Sequence, residues 1–381
     1  MKKVLFVATV DSHIEAFHLP YLKLLHDNGY EVHVAANGSS QFPNCDVKHR
    51  ISIERNPFKI KNLLAIRQLK RIIKKEKYTL IHCHTPVGGV VARIAAKAFN
   101  KSQSKKGLKR TRVIYTAHGF HFYHGAPLLN WLLFYPVEKH LAKYTDTLIT
   151  INQEDYRRAK KFFSKRCKNI KYIKGIGVNI EKYNFRLSDK EHQKILDSLG
   201  VPKDSFIMVF PARLDKNKNQ KFLINVMKKI DKNTNVHLLL PGEDRLNGYY
   251  QNIANKSGLQ KYIHFLGYRT DIPLIQKIAD ISVSSSLREG LPLNVMEAAV
   301  AGKPVVALRC RGMEDLIDNG INGFLVEPNK KDSEEKFVQY IKQYINGRSY
   351  IPSEKSKNID LDSITKHVSY IYGIKHTETE S

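Results

Sequence analysis

Ile281-Ser-Val-Ser-Ser-Ser-Leu-Arg-Glu289-Gly-Leu-Pro-Leu-Asn-Val-Met-Glu297-Ala-Ala-Val300 carries a whole structural unit in one stretch. Ile281–Ser284 reads as a buried strand, a turn holding Gly290 and Pro292 follows, and an Ala-rich helix starts around Leu293. A turn that opens onto a helix N-terminus leaves backbone N–H groups unpaired at the positive end of the helix dipole. That arrangement suits a diphosphate or an array of sugar hydroxyls. Two carboxylates eight positions apart, Glu289 before the helix and Glu297 inside it, can turn to the same side and accept bonds from vicinal hydroxyls. The plainer alternative is a capping acid plus a solvent-facing helix acid.

Working outward, strand-then-helix units recur in two series, the pattern of parallel sheets covered by helices. The first series has strands at Val4–Val10, Glu31–Ala36, Thr79–His84, Arg112–Thr116, Thr147–Ile151 and Ile170–Ile173. Its helices are expected at Phe17–Asn28, Ile60–Lys77, Gly88–Ala98 and Leu128–Ala142, with Lys97–Arg112 as a polar, basic loop. Gly175–Leu187 has few periodic apolar residues and reads as a link. The second series runs through Phe206–Pro211, His237–Leu240, Tyr262–Leu266, Ile281–Ser284 and Pro304–Leu308, with helices near Lys221–Ile230 and Ser333–Ile345. The fold class expected is α/β, two facing Rossmann-like doubly wound domains with an interdomain cleft. The domains divide as 1–178, a linker and entry to the second domain at 179–204, 205–358, and a C-terminal helix within 359–381 crossing back to the first domain. In such sheets ligands sit outside the carboxyl ends of the strands.

At 381 residues the chain exceeds the usual size of one core. Its 42% hydrophobic content excludes disorder and collagen-like order. Cys45, Cys83, Cys167 and Cys310 are scattered without a C-x-x-C pair, which favours reduced thiols in a cytoplasmic protein. The apolar run after Met1-Lys2-Lys3 stops at Asp11 and reads as a first strand, not a signal peptide. The longest apolar stretch elsewhere, near Leu128–Val137, is too short to span a bilayer. The net charge of +27 is lopsided: residues 1–180 hold 33 Lys/Arg against 11 Asp/Glu, a net of +22, and residues 181–381 hold 30 against 25, a net of +5. The first half is therefore suited to an anionic partner, lipid or nucleic acid. Arg55–Lys77 mixes cations with Leu63, Leu64, Ile66, Leu69, Ile72 and Ile73 at helical spacing, which also fits an ordinary core-facing stripe. Leu128–Val137, with Trp131, Phe134 and Tyr135, is a second candidate for contact with a membrane interface, and Arg157–Lys174 adds nine cations.

Glu289-x7-Glu297 within E-G-L-P-L-N-V-M-E-A resembles the signature of the retaining glycosyltransferases of family 4, which have two facing Rossmann-like domains in the GT-B arrangement. Pro211-Ala-Arg213-Leu-Asp-Lys-Asn-Lys218-Asn219 resembles that family's R-L-x3-K-N/G segment. Phe265-Leu-Gly267-Tyr268-Arg269 resembles its base-binding F-L-G-x-R. Ala301-Gly-Lys-Pro-Val-Val and Asn322-Gly323-Phe-Leu-Val resemble the two elements that follow. The match runs in order over Phe206–Pro328 and is looser before it. The resemblance implies that Arg213 and Lys218 stabilise the charge of a nucleoside diphosphate leaving group. It implies further that Glu297 binds the ribose, that Glu289 binds the donor sugar, and that backbone groups around Gly267, Tyr268 and Arg269 hold the base. Amides near Gly290, Leu291, Pro292, Leu293 and Asn294 would contact sugar or phosphate. His118, after the strand Arg112–Thr116, resembles the histidine that approaches the reacting carbon. His13 stands where the family keeps a loop near the acceptor, although D-S-H-I-E-A lacks its usual glycines.

No Walker loop and no G-x-G-x-x-G follows the first strand. Asp360-Leu-Asp362 reads as a helix start, so no Asp-x-Asp is in place to hold a metal–diphosphate. His118, His121 and His124 lack a supporting carboxylate or cysteine at metal-ligand spacing. No metal and no cofactor are expected, only a nucleotide-sugar co-substrate, with UDP chosen by family prevalence. The expected activity is retaining transfer of a hexose or N-acetylhexosamine from a UDP-sugar to a polyprenyl-diphosphate-linked saccharide in capsule or exopolysaccharide assembly. It would proceed by a front-face route at the inner face of the plasma membrane. The donor sugar, the acceptor structure, the linkage formed and the oligomeric state are not encoded in any one motif. A nucleotide-sugar epimerase of the same architecture is the alternative. A nucleic-acid-binding role lacks a recognition motif or stacking platform.

Overall fold

Lys2–Val10 forms the first strand, β1, buried from Val4 to Thr9, as a strand covered on both faces by helices must be. The computed structural model describes residues 1–374, which divide into two units. One comprises Met1–Ile176 with residues 362–374, the other Gly177–Leu361. In the first unit β1 is followed by α1 (Asp11–Phe17), α2 (Leu19–Asp27), β2 (Tyr30–Asn37), β3 (Val47–Arg50), α3 (Lys61–Glu76), β4 (Leu80–His84) and α4 (Pro86–Lys105). Then come β5 (Arg112–Ala117), α5 (Leu128–Leu141), β6 (Thr147–Thr150), α6 (Gln153–Phe163) and β7 (Asn169–Tyr172). The sheet order is β3-β2-β1-β4-β5-β6-β7 with every pair parallel. This is the doubly wound order, with its switch point between β1 and β4.

The second unit contains α7 (Asp189–Leu199), β8 (Phe206–Val209), α8 (Gln220–Lys229), β9 (Val236–Pro241), α9 (Tyr249–Lys256), β10 (Ile263–Gly267) and α10 (Ile272–Ile278). It continues with β11 (Ile281–Ser284), α11 (Leu293–Val300), β12 (Val305–Leu308), α12 (Arg311–Glu314), β13 (Gly323–Val326) and α13 (Ser333–Ile345). Its parallel sheet runs β10-β9-β8-β11-β12-β13. The switch point lies between β8 and β11. The two-sheet α/β architecture is the one expected from the recurring strand–helix units.

Several local expectations need correction. The helix expected over Phe17–Asn28 is α2, Leu19–Asp27, but the D-S-H-I-E-A segment before it, taken as loop, is a further helix, α1. His18 sits at the break with φ −126° and ψ −2°, outside helical geometry. Lys97–Arg112 is half helix, because α4 continues to Lys105 and closes on Lys106. β3 is a short polar edge strand, which period-2 alternation does not mark. The 179–204 linker contains α7, entered through a reciprocal Ser188–Glu191 capping box.

The chain leaves the first unit at Ile176 and re-enters it at Asp362. Val178 bridges the returning segment beside this crossing, its N donating to Ile359 O and its O accepting from Leu361 N, both at 2.9 Å. Gly177, at φ +82°, lies so near that an added Cβ would be 2.5 Å from Leu361 Cα. The returning helix α14 (Leu361–Tyr372) buries Ile364, Val368 and Ile371. Its Tyr372 hydroxyl meets His82 Nδ1 at 2.7 Å, while Arg112 donates to the carbonyls of Ile371 and Tyr372 at 2.6 and 3.2 Å. In the core of the same unit Arg93 is fully buried. It is paired with Glu138 through two bonds of 2.9 and 3.0 Å, and its guanidinium lies 4.0 Å from the Tyr115 ring centroid. A charge so placed is tolerated because its donors are matched by both carboxylate oxygens.

Candidate active site

In the second unit the loops after β8 and β11 flank the switch point and are joined by hydrogen bonds. Leu287 N donates to Asn217 O at 2.8 Å, Asn217 Nδ2 to Arg288 O at 2.9 Å, and Ser285 Oγ to Lys218 O at 2.7 Å. Asp215 turns the first loop by accepting from Lys218 N at 2.9 Å, the turn chemistry that a short carboxylate favours. These constraints deliver Lys218 Nζ to Glu289 Oε1 at 2.5 Å, with both side chains largely buried. Arg311 Nε, from the start of α12, donates to Glu289 O at 3.0 Å. Two of the expected site residues are thus in direct contact. Arg213 is at the other end of the same loop, more exposed and 3.7 Å from Asp215.

The α11 N-terminus begins at Leu293 after Pro292 and has no side-chain cap. Its first N–H groups are therefore open to a ligand. Gly312 permits the turn before it, since a Cβ there would lie 2.6 Å from Gly290 O and 2.9 Å from Pro292 Cδ. Asn294 is buried and its Nδ2 has no partner. One turn along the helix, burial pushes the Glu297 carboxyl up to about 7, against the pull of a hydrogen bond from Tyr183. A carboxyl poised there exchanges its proton near neutral pH. At the end of β10, Gly267 has φ +64°, Tyr268 is 79% exposed, and Arg269 is committed to Asp271 through bonds of 2.8 and 2.6 Å.

In the first unit, the ends of β1, β4 and β5 bring four histidines together. His118 Nε2 is 3.4 Å from His13 Nε2 and 3.4 Å from His84 Nδ1, and the His18 ring stacks on His84 with centroids 3.7 Å apart. Burial lowers His13 to about 4, with Arg55 adding to the effect. His18, His84 and His118 are pushed well below the ordinary imidazole value, by burial first and by neighbouring histidines, His13 and His82 among them, second. His121 and His124, spaced from His118 in sequence, go elsewhere. The His121 ring stacks on Phe134 at 4.4 Å, and His124 N donates to Glu154.

Tyr183, Asn217, Arg311 and Gly312 carry no sequence signal of their own. Tyr183 falls in a stretch read as a link, and the others contact the site only through the folded loops. Asn217 is the exception in principle, because it lies inside the Arg213–Asn219 segment.

Residues 191–360 match the family described as Glycosyl transferases group 1, and residues 3–152 match Glycosyl transferase 4-like. The chain is 47% identical over 327 residues to the putative glycosyltransferase EpsD of Bacillus subtilis (strain 168), covering 86% of this chain and 84% of that protein. It is 29% identical over 309 residues to the UDP-Gal:alpha-D-GlcNAc-diphosphoundecaprenol alpha-1,3-galactosyltransferase of Escherichia coli, covering 80% and 74% of the two chains. In fold it is similar to HepE of Anabaena, solved with UDP and glucose. The TM-score is 0.74 at 21% identity, over 98% of this chain and 100% of that one. With a GT-B pair of Rossmann-like sheets and a relative this similar along most of its length, the chain belongs to the family 4 glycosyltransferases and is a transferase enzyme.

Proposed function

We propose that this glycosyltransferase moves a hexose or N-acetylhexosamine, with retention, from a UDP-sugar to a polyprenyl-diphosphate-linked saccharide in exopolysaccharide assembly. The observation that carries the reading is the Lys218–Glu289 pair at the β8/β11 switch point, beside the uncapped start of α11. Lys218 and Arg213 neutralise the diphosphate as the glycosidic bond breaks, and the first amides of α11 add a fixed dipole. Glu289 orients the donor sugar, Glu297 the ribose, and the backbone at 266–269 the base. His118 and His13 belong to the sugar and acceptor side. The departing phosphate takes the proton of the incoming hydroxyl, so Glu289 forms no covalent bond. UDP as the nucleotide is supported by HepE, solved with UDP and glucose, and by the Escherichia coli relative, a UDP-Gal-dependent galactosyltransferase. The lipid-linked acceptor is supported by the latter.

The domain roles follow: 1–178 for the acceptor, 205–358 for the nucleotide sugar. Peripheral docking on the inner face of the plasma membrane is supported by leucines that the first unit leaves in solvent. On α5, Leu128, Leu129, Leu132, Leu133 and Val137 are exposed at spacings that share one helix face; Leu63 and Leu64 in the first turn of α3, and Phe58 and Ile60 just before it, are exposed as well. The aromatics of α5 are not part of that face. Trp131, Phe134 and Tyr135 pack on the core. Among the described residues no helix is long and apolar enough to cross a membrane.

The test is UDP release from UDP-glucose, UDP-galactose and their N-acetylamino analogues, against GDP- and ADP-sugars, with and without short-chain polyprenyl-diphosphate saccharides. Acceptor-dependent release with a retained anomeric configuration supports the assignment. An inverted product, or a covalent glycosyl adduct accumulating on Glu289→Gln, overturns it. Conversion of the donor sugar without acceptor identifies the epimerase instead.

A further inference from the structure

His82 is buried, titratable and without a role in the transfer proposed above. Its Nδ1 meets the Tyr372 hydroxyl at 2.7 Å and its Nε2 meets Thr116 Oγ1 at 2.8 Å, ordinary hydrogen-bond lengths. The two bonds span 290 and 34 positions of sequence. Burial holds His82 down at about 3, so its ring is neutral at neutral pH and offers one donor and one acceptor. The two hydroxyls use both. Arg112, the first residue of β5, donates to the carbonyls of Ile371 and Tyr372. Tyr372 is thus tied to the start of β5 by its main chain and, through His82, to Thr116 near the end of that strand by its hydroxyl.

Burial alone does not call for this trio. On the opposite face of β4 and β5, Ile81, Cys83 and Val113 fill the core. Replacing hydrogen-bonded partners by apolar groups of the same shape is nearly neutral for stability, whereas a fully satisfied polar network specifies one arrangement of its members. The neighbour of this network is His118. Thr116 pairs with His84 in the β4–β5 register, and His118 follows Thr116 by two residues, just past the strand end. The His82 and His84 ring centroids are 4.0 Å apart. His118 Nε2 is 3.4 Å from His13 Nε2 and 3.4 Å from His84 Nδ1, both long for hydrogen bonds. The His118 ring is therefore placed by what it packs on, and His84 in turn packs on His82.

Given the sugar-side role proposed for His118, on which this rests, we infer that Tyr372 is a positioning residue for the transfer. Acting through His82 and Thr116, it fixes the ring platform from which His118 is presented to the donor sugar. The helix α14 is then a requirement for turnover as well as for the stability of the first unit.

The experiment uses full-length protein and two readouts, acceptor-dependent UDP release and the imidazole nitrogen NMR signals of His118, assigned by their loss in His118→Gln. Tyr372→Phe and Thr116→Val should each lower kcat by about tenfold with KM for the UDP-sugar within about twofold, the pattern of a displaced reacting group and not of lost binding. Both should shift the His118 signals. Thr116→Ser keeps the hydroxyl and should restore kcat to within about twofold of wild type. Ile364→Ala removes buried apolar contact from α14 and leaves the trio intact. It should cost stability but change neither kcat nor the His118 signals. Unmoved His118 signals in folded Tyr372→Phe overturn the proposal, and so does an equal loss of kcat in Ile364→Ala. Wild-type kcat in folded Tyr372→Phe overturns it as well, provided His118→Gln is impaired. If His118→Gln turns over at the wild-type rate, the transfer role of His118 falls, and the signals alone decide whether Tyr372 positions that ring. Should Thr116→Val fail to fold, Tyr372→Phe, which removes a single oxygen, decides.

Discussion

The carboxyl of Glu297 lies against the hydroxyl of Tyr183, a residue 114 positions earlier, and burial raises its pKa to about 7. A carboxyl raised from an ordinary 4.5 binds its proton more tightly in the folded state. Its contribution to stability is full below 4.5 and is lost as pH rises through about 7. Donor binding through the ionised carboxylate has the opposite preference. Affinity for the UDP-sugar should therefore fall about tenfold per pH unit below the Glu297 pKa, and Glu297→Gln should flatten that slope. In thermal unfolding, Glu297→Gln should gain on wild type at pH 8 relative to pH 5. Equal pH slopes for the two proteins would remove Glu297 from the donor site.

Lys218 Nζ and Glu289 Oε1 are 2.5 Å apart, so on the roles proposed above the two should behave as one unit. Lys218→Ala should lower kcat/KM by about 10²–10³, and Glu289→Gln by a similar factor. The double variant should be close to the worse single one, since neither group has its proposed role without the other. Steady-state kinetics on all four proteins checks this, and strictly multiplicative losses would contradict the coupling.

Tyr372→Phe deletes one hydroxyl and leaves His82 Nδ1 buried without its partner. The expected cost is about 1–3 kcal/mol, read as earlier denaturant unfolding of the first unit. Hydrogen exchange should quicken along α14, β4 and β5 and stay unchanged in α8 and α11. Arg112→Ala, which frees the carbonyls of Ile371 and Tyr372, should produce the same map.

Replacing Leu129 and Leu132 by Glu removes two exposed leucines from α5 without touching its inward aromatics. Burying a leucine is worth about 1.5–3 kcal/mol. Cosedimentation with anionic vesicles should thus fall at least about tenfold in the double variant, with unchanged circular dichroism. Wild-type binding should weaken with salt, because the surrounding lysines contribute through screened charge. Undiminished binding of the variant would move the docking face away from α5.

Much of the fold was legible because long buried strands declare themselves: the apolar run in β1 and the alternation of strand and helix leave few architectures open. What failed was local. The start of α1 has no apolar stripe to mark it, and the polar end of α4 looks like loop until its carbonyls are counted into the helix. In the candidate site, Glu289 and Lys218 stand in recognisable segments, so each could be named from the resemblance, but their direct contact emerges only with the fold. Tyr183 could not, because its relation to Glu297 exists only once distant chain segments have packed. The gathering of His13, His18, His84 and His118 was hidden for the same reason. Sequence spacing points to His121 and His124 as companions of His118, whereas β4 and α1 supply the real ones.

The return of the chain to its first unit at Asp362 has a consequence for biogenesis. During synthesis the ribosome releases the β1–β7 sheet long before α14 exists, so His82 and Arg112 emerge without Tyr372 and the two carbonyls that complete them. The middle of the chain, by contrast, carries all of its own unit contiguously. The nascent protein should thus complete its second unit before its first, with the earliest-made residues the last to be sealed.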